Sequence, residues 1–544
     1  MISINGLCKL VKKRKIGTLD PRGPTMSRTA GVVSHLSRRE ALALPLALGA
    51  GALTSGFARG QEPRRGGVLR VVTYANPSSL DPATGRSGTD HTYLWPIFDT
   101  LVDVEPATLN PRPGLAESWE WRDQTTLVLK LRKGVVFHDG TPFDAEAVKA
   151  NFDHMLNDPR STVKGDTSTI KSAEVEGPLQ VVLRLKEPDT SLPLAMSDRI
   201  GMMSSPKAFG ALGLAYDRKP IGTGAYQFVD WIEGEKVILK RNANYWKPGA
   251  PFLDGLEFRV MIDANTGLRS VMSGQTDFMF RVPPHQAPVV KRDKNFVFTT
   301  SPTLFCQLIY LNCSRPPLDD KRIRQALNLA IDREAYTKVV TAGLGEPGYT
   351  VIPRHHWAYD AQAAAMYHYD VDRARKLMAD AGFASGLELL SNTASDPFTT
   401  QRMEIIAAQF GKIGIRLKYT VGTLAQSNQT WNDGVGDIRL TAWTGRADPS
   451  ITFASLYSPE GFFNRGGAEP SKELTQAIRD TRATTDISLR KEAFARAARL
   501  EREVAMSLPL AFESEVVVHH TKVRGYVPNL NGKPRFDGVY LDSA

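Results

Sequence analysis

LKLRKGVVFHDGTPFDAEAV, residues Leu129–Val148, holds a strand end, a turn and a helix start in close succession. The run Thr126–Leu131 is rich in β-branched and apolar residues, which predicts a strand. The HDG at 138–140 predicts a turn. Asp144 is a residue type that caps helices, and it predicts a helix that runs through Met155. The stretch therefore predicts mixed α/β structure.

The same mixture of elements continues along the chain. Further strands are predicted at Val68–Thr73, Val181–Leu185, Leu256–Met261 and Leu508–His519. Helices are predicted at Asn265–Asp277, 319–343, Asp372–Ala381, Thr399–Phe410 and throughout the region 472–505. Strand-rich segments lie on either side of helix-rich material, which predicts a discontinuous domain whose chain leaves and later returns.

The segment HLSRREALALPLALGAGALTSGFARGQ, His35–Gln61, has the features of an export signal. Arg38-Arg39 resembles a twin-arginine address, and the apolar run Ala41–Ala58 is short, weak and interrupted by Pro and Gly. A small-residue exit follows, which favours a cleaved Tat-type signal peptide over residues 1–58 rather than an anchor helix. Met26 is an alternative start. The run contains no Cys, so we expect an exported, soluble, periplasmic protein that is not a lipoprotein.

The net charge of the chain comes mostly from this leader. The sequence has 68 Lys and Arg and 58 Asp and Glu, for a net charge of +10. Residues 1–58 contain nine of the basic and two of the acidic residues, so 59 and 56 remain and the net charge becomes +3. That balance predicts no nucleic-acid partner.

The chain has no recognisable catalytic or metal-binding motif. It contains no HExxH, no P-loop, no GxSxG and no CxxC. His355-His356 and His519-His520 are adjacent pairs, which would point to opposite faces of a strand. The sequence therefore predicts no catalytic residues, no bound metal and no cofactor.

Eight stretches, in order, resemble the dipeptide/oligopeptide-type periplasmic binding proteins of ABC importers, which form extracellular solute-binding protein family 5. They are SSLDPA (Ser78–Ala83), LAESWEW (Leu115–Trp121), LKLRKGVVFHDGTPFDAEAV (Leu129–Val148), IGTGAYQF (Ile221–Phe228), RNANYW (Arg241–Trp246), LDDKRIRQALNLAIDRE (Leu318–Glu334), ADAGF (Ala379–Phe383) and WTGRADP (Trp443–Pro449). Together they extend over nearly all of the chain after residue 58.

This resemblance implies an α/β, two-lobed periplasmic binding protein of the venus-flytrap type. Domain I would be discontinuous, an extra domain II would follow its first part, and a two-strand hinge near Thr299–Asn312 and Ala505–His519 would lead to domain III. The implied segments are 60–105, 203–300 and 500–544 for domain I, 106–202 for domain II and 301–499 for domain III. The implied partners of this monomer are a small or peptide-like solute and the membrane permease of an importer.

The WTG stretch departs from the pattern of peptide-binding relatives. In those relatives an Asp three residues after the Trp pairs with the peptide's α-amino group, whereas Arg446 stands there in this chain. Dipeptide-type relatives also carry an Arg for the ligand carboxylate, but the corresponding loop here, Ser391–Asp396, has no cation. We hypothesise that Arg446 reads an anionic group, such as the carboxylate of a non-standard peptide, an opine-like conjugate or a sugar acid. The alternatives are that Arg446 pairs with an acid across the cleft or points to solvent.

The resemblance implies further ligand-binding candidates. Trp443 would line the pocket, unless it is a core residue, and Asp448 would replace the missing acid in a conventional peptide binder with relocated anchors. The full predicted set is Trp443, Thr444, Gly445, Arg446, Asp448, Tyr74, Thr89, Asp90 and Tyr93. A periplasmic hydrolase or a chaperone-like scaffold on the same fold is the alternative from another class.

Overall fold

The computed structural model describes residues 63–85, 88–394, 397–459, 461, 463–464 and 471–542, so the predicted signal peptide lies outside the described residues. The described strands are β1 Val68–Thr73, β2 Val102–Val104, β3 Pro111–Pro113, β4 Ala116–Asp123, β5 Thr126–Leu131, β6 Ile170–Val175, β7 Gln180–Leu185, β8 Tyr226–Ile232, β9 Lys236–Arg241, β10 Gly255–Val260, β11 Phe278–Phe280, β12 Phe296–Leu311, β13 Glu346–Pro347, β14 Leu387–Ala394, β15 Ile415–Gly422, β16 Ile438–Trp443, β17 Ser507–His520, β18 Val523–Arg524 and β19 Tyr540–Leu541. The described α-helices are α1 His91–Ile97, α2 Ala145–Asn157, α3 Leu192–Ala195, α4 Pro206–Leu212, α5 Ala264–Met272, α6 Ala287–Val290, α7 Lys321–Leu329, α8 Arg333–Val340, α9 Ala361–Ala364, α10 Val371–Asp380, α11 Pro397–Gly411, α12 Leu424–Asn432, α13 Pro449–Tyr457, α14 Lys472–Asp480 and α15 Ile487–Val504. Short 3-10 helices lie at Gly88–Asp90, Arg199–Gly201, Gly213–Arg218 and Pro284–Gln286.

The strand and helix predicted from the opening stretch are confirmed. β5 has the predicted bounds, and α2 begins after Asp144, whose carboxylate accepts a hydrogen bond from the backbone N of Ala147 at 2.9 Å. This cap satisfies one of the free N–H groups of the first helical turn. β5 lies within a four-stranded antiparallel sheet of order β4-β5-β7-β6, and α2 packs against β6 and β7.

A larger mixed sheet runs through both lobes of the protein. Its order is β15-β14-β16-β12-β17-β11-β1-β10-β9-β8, with β13 paired to β17. We call the part from β11 to β8, together with the four-stranded sheet, the first lobe, and the part from β15 to β16, with its helices, the second lobe. β1 pairs in parallel with β10 and β11, and β14 pairs in parallel with β15 and β16. The fold is therefore α/β with two lobes, as the sequence predicts.

Two long antiparallel strands, β12 and β17, connect the lobes. The last half of β12 pairs with β16 in the second lobe, and the last residues of β17 pair with β11 in the first. The ladder between β12 and β17 loses its regular register between Pro302 and Cys306. Because proline has no backbone N–H to donate, Pro302 helps to interrupt the ladder where the chain passes from one lobe to the other.

Two helical regions are divided where the sequence predicts continuous helix. Within 319–343 the chain forms α7 and α8, because Asp332 caps α8 by accepting a hydrogen bond from the N of Ala335 at 2.9 Å. Within 472–505 it forms α14 and α15, and Asp486 caps α15 by accepting from Ser488 N at 2.8 Å. In both places an Asp side chain competes successfully for backbone donors although the apolar periodicity continues.

Among the residues that the structure describes, no helix is both long enough and apolar enough to cross a membrane. These residues also contain no group of three or more His, Cys, Asp or Glu side chains able to hold a metal ion.

Candidate functional site

The end of β16 and the segment that follows it, Trp443–Asp448, face the first lobe. A Cβ atom placed on Gly88, in the first lobe, would lie 3.2 Å from the Cγ2 of Thr444. Gly445 has a φ of +70°, and a Cβ there would lie 2.3 Å from the Cβ of Leu304. Only glycine fits this turn, which sets the direction in which the next side chain, that of Arg446, leaves the backbone.

Within the described residues, the guanidinium of Arg446 donates hydrogen bonds through only one of its nitrogens. Its Nη1 donates to the carbonyl oxygen of Gly445 at 2.9 Å and to the Oγ1 of Thr444 at 3.4 Å. Its guanidinium lies 4.7 Å from the ring centre of Trp443, a cation–π contact. Its Nη2 and Nε donate to no described residue, and no described carboxylate lies within 4.0 Å of it. Arg446 therefore keeps donors available without a direct acid partner in the part of the chain that the structure describes.

Trp443 is almost fully buried, with 3% of its surface exposed. Its Nε1 donates to the Oγ1 of Thr452 at 3.1 Å, and its ring meets that of Phe463 edge to face at 5.2 Å. The ring is thus fixed in the second-lobe core and offers a face to Arg446. Its contact with a solute stays a prediction.

Asp448 has its carboxylate fully engaged. It caps α13 by accepting from Ser450 N at 2.9 Å, and it also accepts from Ser450 Oγ at 2.7 Å. Arg490 Nη2 lies 2.7 and 2.8 Å from its two oxygens, and Asp448 itself is 0% exposed. A buried, paired carboxylate of this kind stabilises the loop, and its predicted contact with a ligand remains untested.

The first lobe brings a second charged group toward Arg446. The carboxylate of Asp198 accepts a hydrogen bond from His91 Nε2 and lies 3.8 Å from the Nζ of Lys533. Burial opposes its ionisation, but His91, Lys533 and Arg446 outweigh burial and hold the pKa of Asp198 well below its usual value. Burial lowers the pKa of Lys533 to about 8, although the charge of Asp198 opposes the shift. Asp198 is therefore an ionised and already partnered acid.

Asp166, in the first-lobe loop between α2 and β6, differs from Asp198. Its half-buried carboxylate forms no hydrogen bond or ion pair with any residue that the structure describes. Burial raises its pKa, whereas the charges of Arg446 and Arg199 oppose the rise. Arg446 thus acts electrostatically on two acids of the opposite lobe without touching either.

Three other predicted residues are near this place but differ in their surroundings. Thr89 and Asp90 follow Gly88 in a 3-10 helix, and Asp90 is 0% exposed. The Asp90 carboxylate accepts from the N and the Oγ of Ser78 at 2.8 and 2.6 Å. Tyr93 is a core residue whose hydroxyl donates to backbone and side-chain oxygens of the first strand region. The solute contacts of all three stay predictions.

Tyr74 belongs to a cluster beside the hinge strands. Its hydroxyl accepts from Arg281 Nη1 at 3.1 Å. Arg281 Nη2 lies 3.5 Å from one oxygen of Glu513, and Arg402 Nη1 of the second lobe lies 3.7 Å from the other. A carboxylate on β17 thereby links cations from both lobes.

The segment Ser391–Asp396, which was predicted to be a loop, is largely a strand. Ser391–Ala394 belongs to β14 and pairs with β15, while 395–396 lie outside the described residues. The loop prediction is wrong for the paired residues, because β14 extends further than its apolar pattern indicates. A cation does lie on the helix that follows, α11. It is Arg402, whose Nη1 lies 3.7 Å from a carboxylate oxygen of Glu513 on β17.

Asp166, Asp198 and Lys533 were not predicted from the sequence. Asp198 has a local signal, since its side chain caps a 3-10 helix by accepting from Arg199 N at 2.7 Å. Asp166 and Lys533 belong to no motif, and only the fold brings them near Arg446.

The lobes also touch where the loop after β7 meets the loop between α14 and α15. The N of Thr190 donates to the carbonyl of Arg482 at 2.9 Å, and its Oγ1 donates to the carbonyl of Thr484 at 2.8 Å. Arg482 lies 3.3 Å from Glu187 and 3.5 Å from Asp189. These polar contacts hold the second lobe against the first.

Two lobes joined by paired strands, with charged groups converging between them, define a solute-binding protein that closes around its ligand. Comparison with known proteins agrees with this class. The model of bacterial extracellular solute-binding proteins, family 5 Middle, matches residues 110–464, and the chain belongs to this family.

Individual relatives are similar over most of their length. The glutathione-binding protein GsiB of Escherichia coli strain K12 is 30% identical over 470 residues, which cover 84% of this chain and 91% of that protein. The periplasmic binding protein DppA from Helicobacter pylori, in complex with the peptide STSA, superposes with a TM-score of 0.81 at 25% identity, covering 88% of this chain and 99% of that chain. AgaA of A. tumefaciens R10, in complex with agropinic acid, shares the fold with a TM-score of 0.80 at 22% identity, over 88% and 99% of the two chains. The chain is the substrate-binding component of an ABC importer, and its partners are a small solute and a membrane permease.

Proposed function

We propose that the solute is a small, peptide-like molecule with a net negative charge, and that Arg446 binds one of its anionic groups. The observation that carries this proposal is the open side of Arg446, which retains donors but has no acid within 4.0 Å among the described residues. A guanidinium with free N–H groups is stabilised when a carboxylate pairs with them.

The charges around Arg446 support an anion. Arg446, Arg199 and Lys533 are cations whose charges act on Asp166 or Asp198. This gathering of cations around Arg446 favours an anionic solute over a neutral or cationic one.

Glutathione is the first solute to test, because the name of GsiB records that this relative binds it. At neutral pH it carries two carboxylates and one ammonium, which gives a net charge of −1. Opine-like conjugates and sugar acids remain in the panel as other anions.

A conventional peptide binder with relocated anchors is the second candidate. It requires an acid for the peptide ammonium, and Asp448 is poorly suited to that role because both of its oxygens already accept from Arg490. We also propose that the protein binds its solute without transforming it, acts in the periplasm after export, and keeps the domain segments predicted from the resemblance.

The test is titration calorimetry of the purified protein with glutathione, agropinic acid, sugar acids, free di- and tripeptides and neutral sugars. We expect binding of anionic members, and Arg446→Glu should weaken it by about a hundredfold, because the cation that pairs with the solute is replaced by an anion that repels it. The matched control is Arg373→Glu, which makes the same charge change at an exposed position on α10. An unchanged dissociation constant in Arg446→Glu would refute the proposal. Chemical alteration of the solute recovered after binding would contradict the non-enzymatic role.

A further inference from the structure

We propose that Arg490 is a positioning residue that couples the segment Trp443–Asp448, which carries Arg446, to the contact between the lobes. Arg490 is a buried residue of α15, and it donates hydrogen bonds toward both places. This coupling concerns how the lobes close, and it does not depend on which solute Arg446 binds.

One guanidinium joins two parts of the second lobe. The Nη2 of Arg490 donates to both carboxylate oxygens of Asp448, at 2.7 and 2.8 Å. Its Nε donates to the carbonyl oxygen of Thr481, at 2.8 Å. Asp448 is the last residue of the segment, and Thr481 is the first residue of the turn between α14 and α15. Because a guanidinium is planar and rigid, these bonds fix the position of the turn relative to the segment.

The same turn makes the contact with the first lobe. The carbonyl oxygen of Arg482, which follows Thr481, accepts from the N and the Oγ1 of Thr190 at 2.9 and 3.1 Å. The carbonyl oxygen of Thr484 accepts from Thr190 Oγ1 at 2.8 Å. These acceptors are backbone atoms, so their directions depend on the conformation of the turn. Arg490 therefore acts on the contact between the lobes through the turn that it holds.

The segment that carries Arg446 depends on Arg490 as well. Asp448 lies two residues after Arg446, and its buried carboxylate also caps α13 by accepting from Ser450 N at 2.9 Å. Arg490 is the cation that pairs with this carboxylate, and a buried acid is stable only when it is paired. Since coupling between two events is reciprocal, a solute that fixes the segment would strengthen the contact between the lobes, and that contact would steady the segment.

Hydrogen exchange of the purified protein, without added solute, tests this coupling. The reporter is the amide of Thr190, which is protected by its hydrogen bond across the lobes. Arg490→Lys keeps a cation beside Asp448 but loses the planar group that also reaches Thr481, so the Thr190 amide should exchange about tenfold faster. The amide of Ala374, which is buried on α10 in the second lobe, should keep its wild-type rate.

A matched control and a reverse experiment complete the test. Arg499 lies on the same helix and pairs through two nitrogens with Asp360, which caps α9, so Arg499→Lys makes the same change away from the turn. It should leave the Thr190 amide unchanged. In the reverse direction, Thr190→Val removes the hydroxyl bonds to the turn and should speed exchange of the Ser450 amide by about threefold.

Faster exchange at Thr190 in Arg490→Lys, together with faster exchange at Ser450 in Thr190→Val, would support the coupling. An unchanged rate at either amide would overturn it. Equal acceleration at Ala374 in Arg490→Lys would also overturn it, because that result would show a general loss of stability. If Arg490→Lys does not fold, the Ser450 amide in Thr190→Val decides alone. Because no solute is added, the outcome is separate from the calorimetric test of the proposed function, and either can fail without the other.

Discussion

Glu515 lies on β17 at the point where the strands leave one lobe for the other, opposite Ser301 on β12. Only 4% of its surface is exposed, and its carboxyl accepts a hydrogen bond from the hydroxyl of Tyr526 at 3.1 Å. Burial raises its pKa from 4.5 to about 7, although Tyr526, Ser301 and Arg281 oppose the rise. Glu515→Gln would remove the titratable group and keep an oxygen for Tyr526.

The size of the effect follows from linkage between protonation and folding. Between pH 4.5 and about 7 the folded protein retains a proton that the unfolded chain has released, so stability falls as pH rises through this interval and is level above it. At about 1.4 kcal/mol for each pH unit, the interval corresponds to about 3 kcal/mol. We expect Glu515→Gln to be more stable than wild type by about this amount at pH 8, and by little at pH 4.

Differential scanning calorimetry at pH 4, 6 and 8 measures this. With an unfolding entropy of about 2.1 cal/mol/K per residue, a chain of this size should show a midpoint about 3 °C higher in Glu515→Gln at pH 8. Glu492→Gln, on the exposed face of α15, is the matched control and should match wild type throughout. Equal midpoints at pH 8, or a gap of the same size at pH 4, would refute the reasoning.

Three further predictions concern the contacts between and beneath the lobes. Thr190→Val removes a hydroxyl that donates hydrogen bonds across the lobes, so the closed arrangement should lose about 1 kcal/mol of stabilisation. Calorimetry should then show solute affinity up to about fivefold weaker. Unchanged affinity would contradict a role of this contact in closure. Asp448→Asn leaves Arg490 buried without its acid and should lower the free energy of unfolding by about 3 kcal/mol in denaturant titrations. A selective loss of solute binding at normal stability would instead support Asp448 as a ligand contact. Gly445→Ala forces a Cβ against Leu304 at a positive φ, so the free energy of unfolding should fall by about 2 kcal/mol and solute affinity should also fall. A variant as stable as wild type would show that the backbone turn adjusts to the added Cβ.

Local features were the most predictable from the sequence. The cap at Asp144 and the bounds of β5 follow from side-chain chemistry and strand propensity within a few residues. The break before α8 was not predicted, because the apolar face continues through it and only Asp332 marks the new start. The two-lobed fold was predicted through the order of eight motifs, a resemblance that periodicity alone would not have supplied.

The candidate site was predicted only in part. Arg446 was singled out because it replaces an acid within a recognisable motif. Asp166 and Lys533 lie far from it along the chain and carry no local signal, so their approach to Arg446 depends on how the lobes pack. The limits of the domain segments and the solute contacts of the predicted residues stay predictions.

The position of β17 has a consequence for how the chain acquires its structure during synthesis. This strand comes from the last part of the chain, yet it lies between β12 and β11 in the middle of the large sheet. Until it has left the ribosome, β11 has an open edge on that side and the two halves of the sheet are not joined. Folding of both lobes therefore has to finish after translation of nearly the whole chain, and the exposed strand edges need protection from association in the meantime.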